Sequence, residues 1–215
     1  MGTETAAVIN AFEAPEADDD FIAGWEAAHK PLADEGAFAS VLLHQALRPD
    51  AKFRFVSVAQ LADPTHASGE MPFVAPPGLC KVVHEDGTPD GAQGVTLINP
   101  FEVPAQEDER FLAGWHHVRH ILAGQRGYLG TRLHRSVTPT DLRFVNIARW
   151  SSPLMWFRAT QQVEFQRAAA ALPFASHPAL YLVVAAPRRC DGGTTTFHRR
   201  AGTSAPRSGR LRDAL

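Results

Sequence analysis

The stretch VINAFEAPEADDDFIAGW, residues 8–25, returns as LINPFEVPAQEDERFLAGW, residues 97–115. Ile9, Asn10, Phe12, Glu13 and Pro15 are answered by Ile98, Asn99, Phe101, Glu102 and Pro104. Working outward, Phe21, Ala23, Gly24 and Trp25 recur as Phe111, Ala113, Gly114 and Trp115, His44 as His134, and Arg54-Phe55-Val56 as Arg143-Phe144-Val145. Near the end of each copy, MPFVAPPGLCKVV (71–83) matches LPFASHPALYLVV (172–184). A period near ninety residues is too long for a solenoid repeat and suits a small domain, so the chain is a duplicated domain. Function is then to be sought where the copies differ.

Each copy opens with an alternating apolar stretch, 7–12 and 95–101, which reads as a strand. The acidic segments EADDD and QEDE lead into a helix, because negative charge suits the positive end of a helix. In the second helix of this kind Phe111, Leu112, Trp115, Val118 and Leu122 share one face. Strands follow at 38–44 and 53–59, matched by 128–135 and 142–150. Residues 151–172 are expected to form one more helix, with Ser151 or Ser152 as its cap and Pro153 in its first turn, before a closing strand at 179–185. The order β-α-β-β-α-β is ferredoxin-like, twice over, and the fold class is α+β. One domain spans 1–83 and the other 95–186, with HEDGTPDGAQG (84–94) as a linker and 187–215 as a basic tail. Copy one is about twelve residues shorter where copy two has its second helix, and is expected to have lost most of that element.

Composition is that of a globular protein, 45% hydrophobic and 20% charged. A net charge of −2 gives no electrostatic reason for a nucleic-acid partner, and no apolar run approaches the roughly 18 residues of a membrane span. The expectation is a cytoplasmic protein. Cys80 and Cys190 have neither disulfide-framework nor metal-ligand spacing, so both read as free thiols. The tail from Arg188 carries seven arginines among Gly, Ser, Thr and Pro, and reads as a solvated, unfolded segment.

The third strand is where the copies part. FVNIARW (144–150) places Phe144, Asn146, Ala148 and Trp150 on one side of the sheet, whereas FVSVAQL (55–61) offers Phe55, Ser57, Ala59 and Leu61. An amide and an indole four residues apart are present in one copy alone. Asn is disfavoured in strands, and a buried amide without hydrogen bonds costs roughly 1–3 kcal/mol, so Asn146 calls for a reason. Asn99, at the end of the first strand, is a further candidate, although Asn10 answers it and favours a structural role for both. His134 is likewise answered by His44. In HHVRH (116–120) the i, i+4 pair His116 and His120 falls on the face away from the sheet, with no third ligand marked, and reads as solvated. Arg132 and Arg149, on strand faces, are expected in solvent.

NPFEVP (99–104), FLAGW (111–115), NIARW (146–150) and PALYLVV (178–184) resemble the antibiotic biosynthesis monooxygenase superfamily, over residues 7–186 taken twice. The resemblance implies ferredoxin-like domains whose sheets pair as a dimeric α+β barrel, here intramolecular, with one competent and one degenerate half. In the branch that oxidises aromatic polyketide anthrones to quinones with O₂ and without metal or flavin, an Asn and a Trp four apart line the pocket, a spacing matched by Asn146 and Trp150. The implied site has Asn146 and Trp150 as catalytic residues and Phe144, Asn99 and His134 as substrate-binding walls, with no required cofactor and an aromatic polyketide as the small-molecule partner. Two alternatives stay open: ring cleavage or hydroxylation of an angucycline-type substrate with reduced flavin from a flavin reductase, and a polyketide cyclase or non-catalytic binding protein. Haem cleavage is set aside, because Arg158 to Gln162 holds no histidine where that branch has one.

Overall fold

The computed structural model describes residues 6–13, 15–62, 75–89, 94–189 and 195–199. Copy one contributes β1 (Ala6–Phe12), α1 (Asp18–Asp34), β2 (Phe38–Ala46), β3 (Phe55–Leu61) and β4 (Pro77–Gly87). Copy two contributes β5 (Val95–Glu102), α2 (Asp108–Ala123), β6 (Tyr128–Ser136), β7 (Leu142–Trp150), α3 (Pro153–Thr160), α4 (Val163–Ala170), β8 (Ala175–Ser176) and β9 (Ala179–Arg189), and β10 (Thr195–Arg199) follows. The helices grow from acidic first turns, Asp18-Asp19-Asp20 in α1 and Asp108-Glu109 in α2, and each leading aspartate clasps an arginine at the start of its copy's third strand, Arg54 just before β3 and Arg143 in β7. Arg54 Nη2 reaches Asp18 at 2.5 Å and Arg143 Nη2 reaches Asp108 at 2.8 Å, which ties each helix to its own sheet in the same way.

The strands close an eight-stranded antiparallel barrel, β9-β2-β3-β1-β4-β6-β7-β5, in which β9 pairs with β2 on one side and β5 on the other. The last strand of each copy makes the closure. β4 pairs with β1 of its own copy, Val8 opposite Leu79, and then with β6, Asp86 opposite Thr131. Correspondingly, β9 pairs with β5 through Leu97 opposite Leu180, and with β2 through Ala46 opposite Tyr181. The two tandem ferredoxin-like domains are thus stitched to each other by main-chain hydrogen bonds. Alternation sends Ala7, Ile9, Val56, Val58, Ile98 and Val145 into the barrel, and the opposite faces toward the helices. Inside, the Tyr181 hydroxyl donates to Phe53 O at 2.9 Å, bonding copy two to copy one.

Four expectations from the sequence are corrected. His84–Gly87, expected at the start of a linker, lie in β4, because this polar stretch pairs with β6. The tail enters the sheet: β9 runs to Arg189, and β10 pairs with it, setting Phe197 against Trp25. The 151–172 helix is two helices: Thr160 bonds back to Phe157 O at 2.9 Å and Gln162 takes extended backbone (φ −66, ψ 133), so the chain changes direction. Ser152 is the cap of α3, accepting from Met155 N. Arg149 is buried and Arg132 pairs with Glu85, since closure turns their strand face into the barrel interior. The expected loss of a helix in copy one, and Cys190, lie outside the described residues.

Candidate active site

Between the outer face of the copy-two sheet and its helices is a cavity of about 370 Å³, within the size range of small-molecule sites. The sheet floor is Leu97, Asn99 and Phe101 of β5, Tyr128 and Thr131 of β6, and Asn146 and Ala148 of β7. From α2 come Trp115, Val118, Arg119 and Leu122. Trp156 and Thr160 of α3 and Phe165 and Ala169 of α4 form the roof, so the break at Gln161-Gln162 lets both helices fold over one space. Gly114 of α2 faces Leu172, another wall residue: a Cβ there would stand 2.5 Å from Leu172 Cδ1, and the leucine would have to turn aside.

Two amides face each other at mid-floor, since Asn99 and Asn146 are opposite residues of β5 and β7. Asn99 Oδ1 accepts from His177 N at 3.0 Å, as Asn10 Oδ1 accepts from Ala75 N at 3.0 Å in copy one. That shared bond ties the first strand to the segment before the last one, a structural task in both copies. Asn146 is held differently. The Thr131 hydroxyl donates to Asn146 Oδ1 at 2.7 Å, shorter than its 3.1 Å approach to Ile147 O. The carbonyl end of the amide is therefore occupied, and its NH₂ makes no hydrogen bond among the described residues.

One end of the cavity is polar. Asp86 of β4, a copy-one residue, accepts from the Tyr128 hydroxyl at 2.7 Å and pairs with Arg119 through Nε and Nη2. His84 Nε2 lies 3.3 Å from the same carboxylate. Burial by itself would push the Asp86 carboxyl up, but the bonds from Tyr128, Arg119 and His84 outweigh it and hold it below the usual carboxylate range. Burial and then the Asp86 carboxylate push the Tyr128 phenol above its ordinary value, so it stays a neutral donor.

The residues singled out from sequence separate here. Asn146 and Asn99 line the cavity. Trp150 is fully buried beside it, edge-on to Tyr128 with ring centroids 5.5 Å apart, and its Nε1 has no partner among the described residues. Phe144 does not reach the cavity: it stacks on Phe111 at 4.4 Å, as Phe55 stacks on Phe21 at 4.6 Å, and is core in both copies. His134 points the other way, into a small space inside the barrel that it shares with His44, Arg132 and Arg149. Burial lowers the pKa of His44 and of His134 to about 4, so both are neutral at pH 7. His116 and His120 are exposed, and no group of three His, Cys, Asp or Glu among the described residues is placed to hold a metal ion.

Thr131, Arg119 and Tyr128 were not singled out, yet a signal for each was present. They replace Val41, His29 and Phe38 of copy one, just as Asn146 replaces Ser57. Aligning the copies along every element, rather than along the third strand alone, exposes all four.

Residues 94–171 match the family model of the antibiotic biosynthesis monooxygenases. Among solved structures, an anthrone oxidase-like protein is 14% identical over 85% of this chain and 91% of its own, with a TM-score of 0.60, a likeness of fold. A candidate monooxygenase from Shewanella loihica PV-4 is 38% identical over 42% of this chain and 93% of its own, with a TM-score of 0.38. SnoaB, a cofactor-independent oxygenase from Streptomyces nogalater, is 31% identical over 40% of this chain and 88% of its own, with a TM-score of 0.37. No curated protein matches. With its tandem ferredoxin-like barrel and the matched domain in copy two, the chain belongs to the antibiotic biosynthesis monooxygenase family.

Proposed function

We propose that the copy-two cavity oxidises an aromatic polyketide, an anthrone or related polycyclic phenol, to a quinone with O₂. The observation that carries this reading is the Asn146 amide, held by Thr131 with its NH₂ unpaired among the described residues of an otherwise largely apolar cavity. An anthrone CH₂ is acidified by its flanking rings and carbonyl. Loss of one proton gives an enolate, which transfers electrons to O₂ and joins it as a peroxide anion; return of the proton gives the hydroperoxide, and loss of water leaves the quinone carbonyl. One oxygen atom enters the product and the other leaves as water, and the substrate itself supplies the electrons. No outside reductant is needed for that balance.

Among the described residues the cavity lining offers neither carboxylate nor histidine, so the work falls on stabilising the anion rather than on strong proton abstraction. The Asn146 NH₂ donates to the oxyanion, Asn99 stands across from it, and Trp115, Trp156 and Phe165 supply flat apolar surface for the rings. Trp150 supports the Tyr128 end by packing. A cyclase would need an acid/base pair, and the described lining residues include none.

The test is O₂ uptake and quinone formation by the metal-stripped protein given a tricyclic anthrone and no cofactor. Uptake matched one to one by quinone supports the reading. Uptake that starts only when reduced flavin is added replaces it with flavin-assisted oxidation.

A further inference from the structure

The polar end of the cavity has more built into it than the oxidation step uses. Arg119 lines the cavity, yet both contacts to Asp86 run through Nε and Nη2, and Nη1 makes no hydrogen bond among the described residues. The carboxylate that holds the guanidinium comes from the other copy. Asp86 sits opposite Thr131 in the β4–β6 ladder, next to the Gly87–Gly130 pair, where the backbones approach so closely that a Cβ on Gly87 (φ +62) would lie 2.4 Å from Leu129 O. That approach fixes where Asp86 stands. Asp86 also accepts the hydrogen bond of the Tyr128 hydroxyl, which turns that O–H toward the carboxylate.

An ion pair that served only to join the copies would not need its cation in a cavity wall. A guanidinium neutralised on one edge by a carboxylate presents a fixed N–H donor on the other without leaving a bare positive charge in an apolar space. The matching ligand group is a ring oxygen, a phenolic hydroxyl or carbonyl, rather than a carboxylate, which Asp86 would repel. Copy one has His29 at this position, buried and stacked on Trp25 with ring centroids 4.2 Å apart, so the space equivalent to the polar end is filled there.

We propose that Arg119 is a specificity residue of the cavity, donating through Nη1 to a peripheral oxygen of a polycyclic ligand, and that Asp86 of copy one is the positioning residue that holds it there. Copy one thereby supplies part of the copy-two site. This inference rests on the cavity taking a flat oxygenated polycycle, as in the oxidation reading, but it does not depend on turnover.

The experiment measures binding of anthraquinone and of its monohydroxy isomers to the full chain by quenching of tryptophan fluorescence, with O₂ uptake followed separately on the anthrone. The wild type is expected to bind at least one hydroxy isomer about tenfold more tightly than the parent quinone, the worth of one hydrogen bond from a charged donor. In Arg119→Met that preference falls to about twofold or less while the parent quinone binds as before. Arg119→Gln, which can still bond Asp86, serves if the methionine variant does not fold, and is expected to lose the preference likewise. Asp86→Asn is expected to shrink the preference without changing parent binding, a change in ratio that a purely structural ion pair would not produce. An unchanged ratio in the Arg119 variants, or equal weakening of both ligands, overturns the proposal even if O₂ uptake is intact. Binding that follows the expected ratios without any O₂ uptake supports it and removes the oxidation reading instead; binding of neither quinone overturns it, and the O₂-uptake arm alone then decides the oxidation reading.

Discussion

In copy one the Trp25 indole donates to Ser57 Oγ at 3.1 Å, His29 stacks on the same indole, and Phe197 of β10 packs against it from outside. In copy two the same helix position is Trp115, which lines a cavity, and the residue in place of Ser57 is Asn146. The frame around these positions is the same in both. Phe12, Phe21 and Phe55 meet at 62° and 23°, and Phe101, Phe111 and Phe144 meet at 63° and 27°. What differs is the layer outside the sheet: copy one closes it with a tryptophan, a histidine and an added strand, whereas copy two spreads α3 and α4 over an open space. A fold that is held by its aromatic triad and its aspartate–arginine clasp can therefore lose a binding site without losing its frame.

The comparison is broken most directly by making copy two resemble copy one. Asn146→Ser is expected to lower kcat for anthrone oxidation by about 10²–10³-fold, the cost of removing an oxyanion donor, with the melting temperature little changed. A variant that keeps its turnover would take Asn146 out of the chemistry.

Acid tests what the copies share. His44 and His134 are both buried in the barrel and lowered to about 4 from 6.5 by burial. Their folded pKa lies below the unfolded one, so their stabilisation is fully present above pH 6.5 and is lost as pH falls toward 4, up to about 3 kcal/mol per histidine. Urea midpoints measured between pH 7 and pH 4 should fall steadily, and replacing either histidine by glutamine should remove about half of the slope contributed by the pair. A flat profile, or one histidine carrying all of it, would deny the equivalence of the two halves.

Thr131→Val installs the copy-one residue beneath the amide. Without the donor to Oδ1 the amide can turn, and kcat is expected to drop about tenfold with KM changed by less than about twofold. Thr131→Ser keeps the hydroxyl and should keep most of the rate. Equal losses in Val and Ser variants would mean that packing at Thr131, rather than its hydroxyl, matters.

Much of this was legible in the chain. Alternation located β1, β2 and β3 and their counterparts to within a few residues, because a half-buried strand declares itself every second position. The Asn146 difference was also readable, since an amide in a strand is costly unless something holds it. Less legible was whatever depends on one copy meeting the other. His84-Glu85-Asp86-Gly87 looks like linker until β6 lies beside it, and Arg149 looks solvent-facing until eight strands close around it. Trp150 shows the limit of period-two reasoning: it shares a face with Asn146 but lies four residues further along the strand, where Tyr128, Met155 and Trp156 pack over it. Face alone does not say whether a side chain meets a cavity or a neighbour.

The smallest effect, and the one that sharpens the comparison most, is expected in copy one. Ser57→Ala removes the acceptor of the Trp25 indole and leaves a buried N–H unpaired, a loss of about 1 kcal/mol seen as a lower urea midpoint. If copy one is frame and copy two is site, kcat and KM for the anthrone should stay at wild-type values, because Ser57 belongs to the outer face of the other half and its neighbours Trp25 and His29 do not line the cavity. Copy one reaches the site through Asp86 and its neighbour His84, which packs on Trp115, and both stand on a different strand. A change in turnover in Ser57→Ala beyond what the midpoint shift explains would mean that the closed half transmits its packing through the barrel, and the division between frame and site would have to be redrawn.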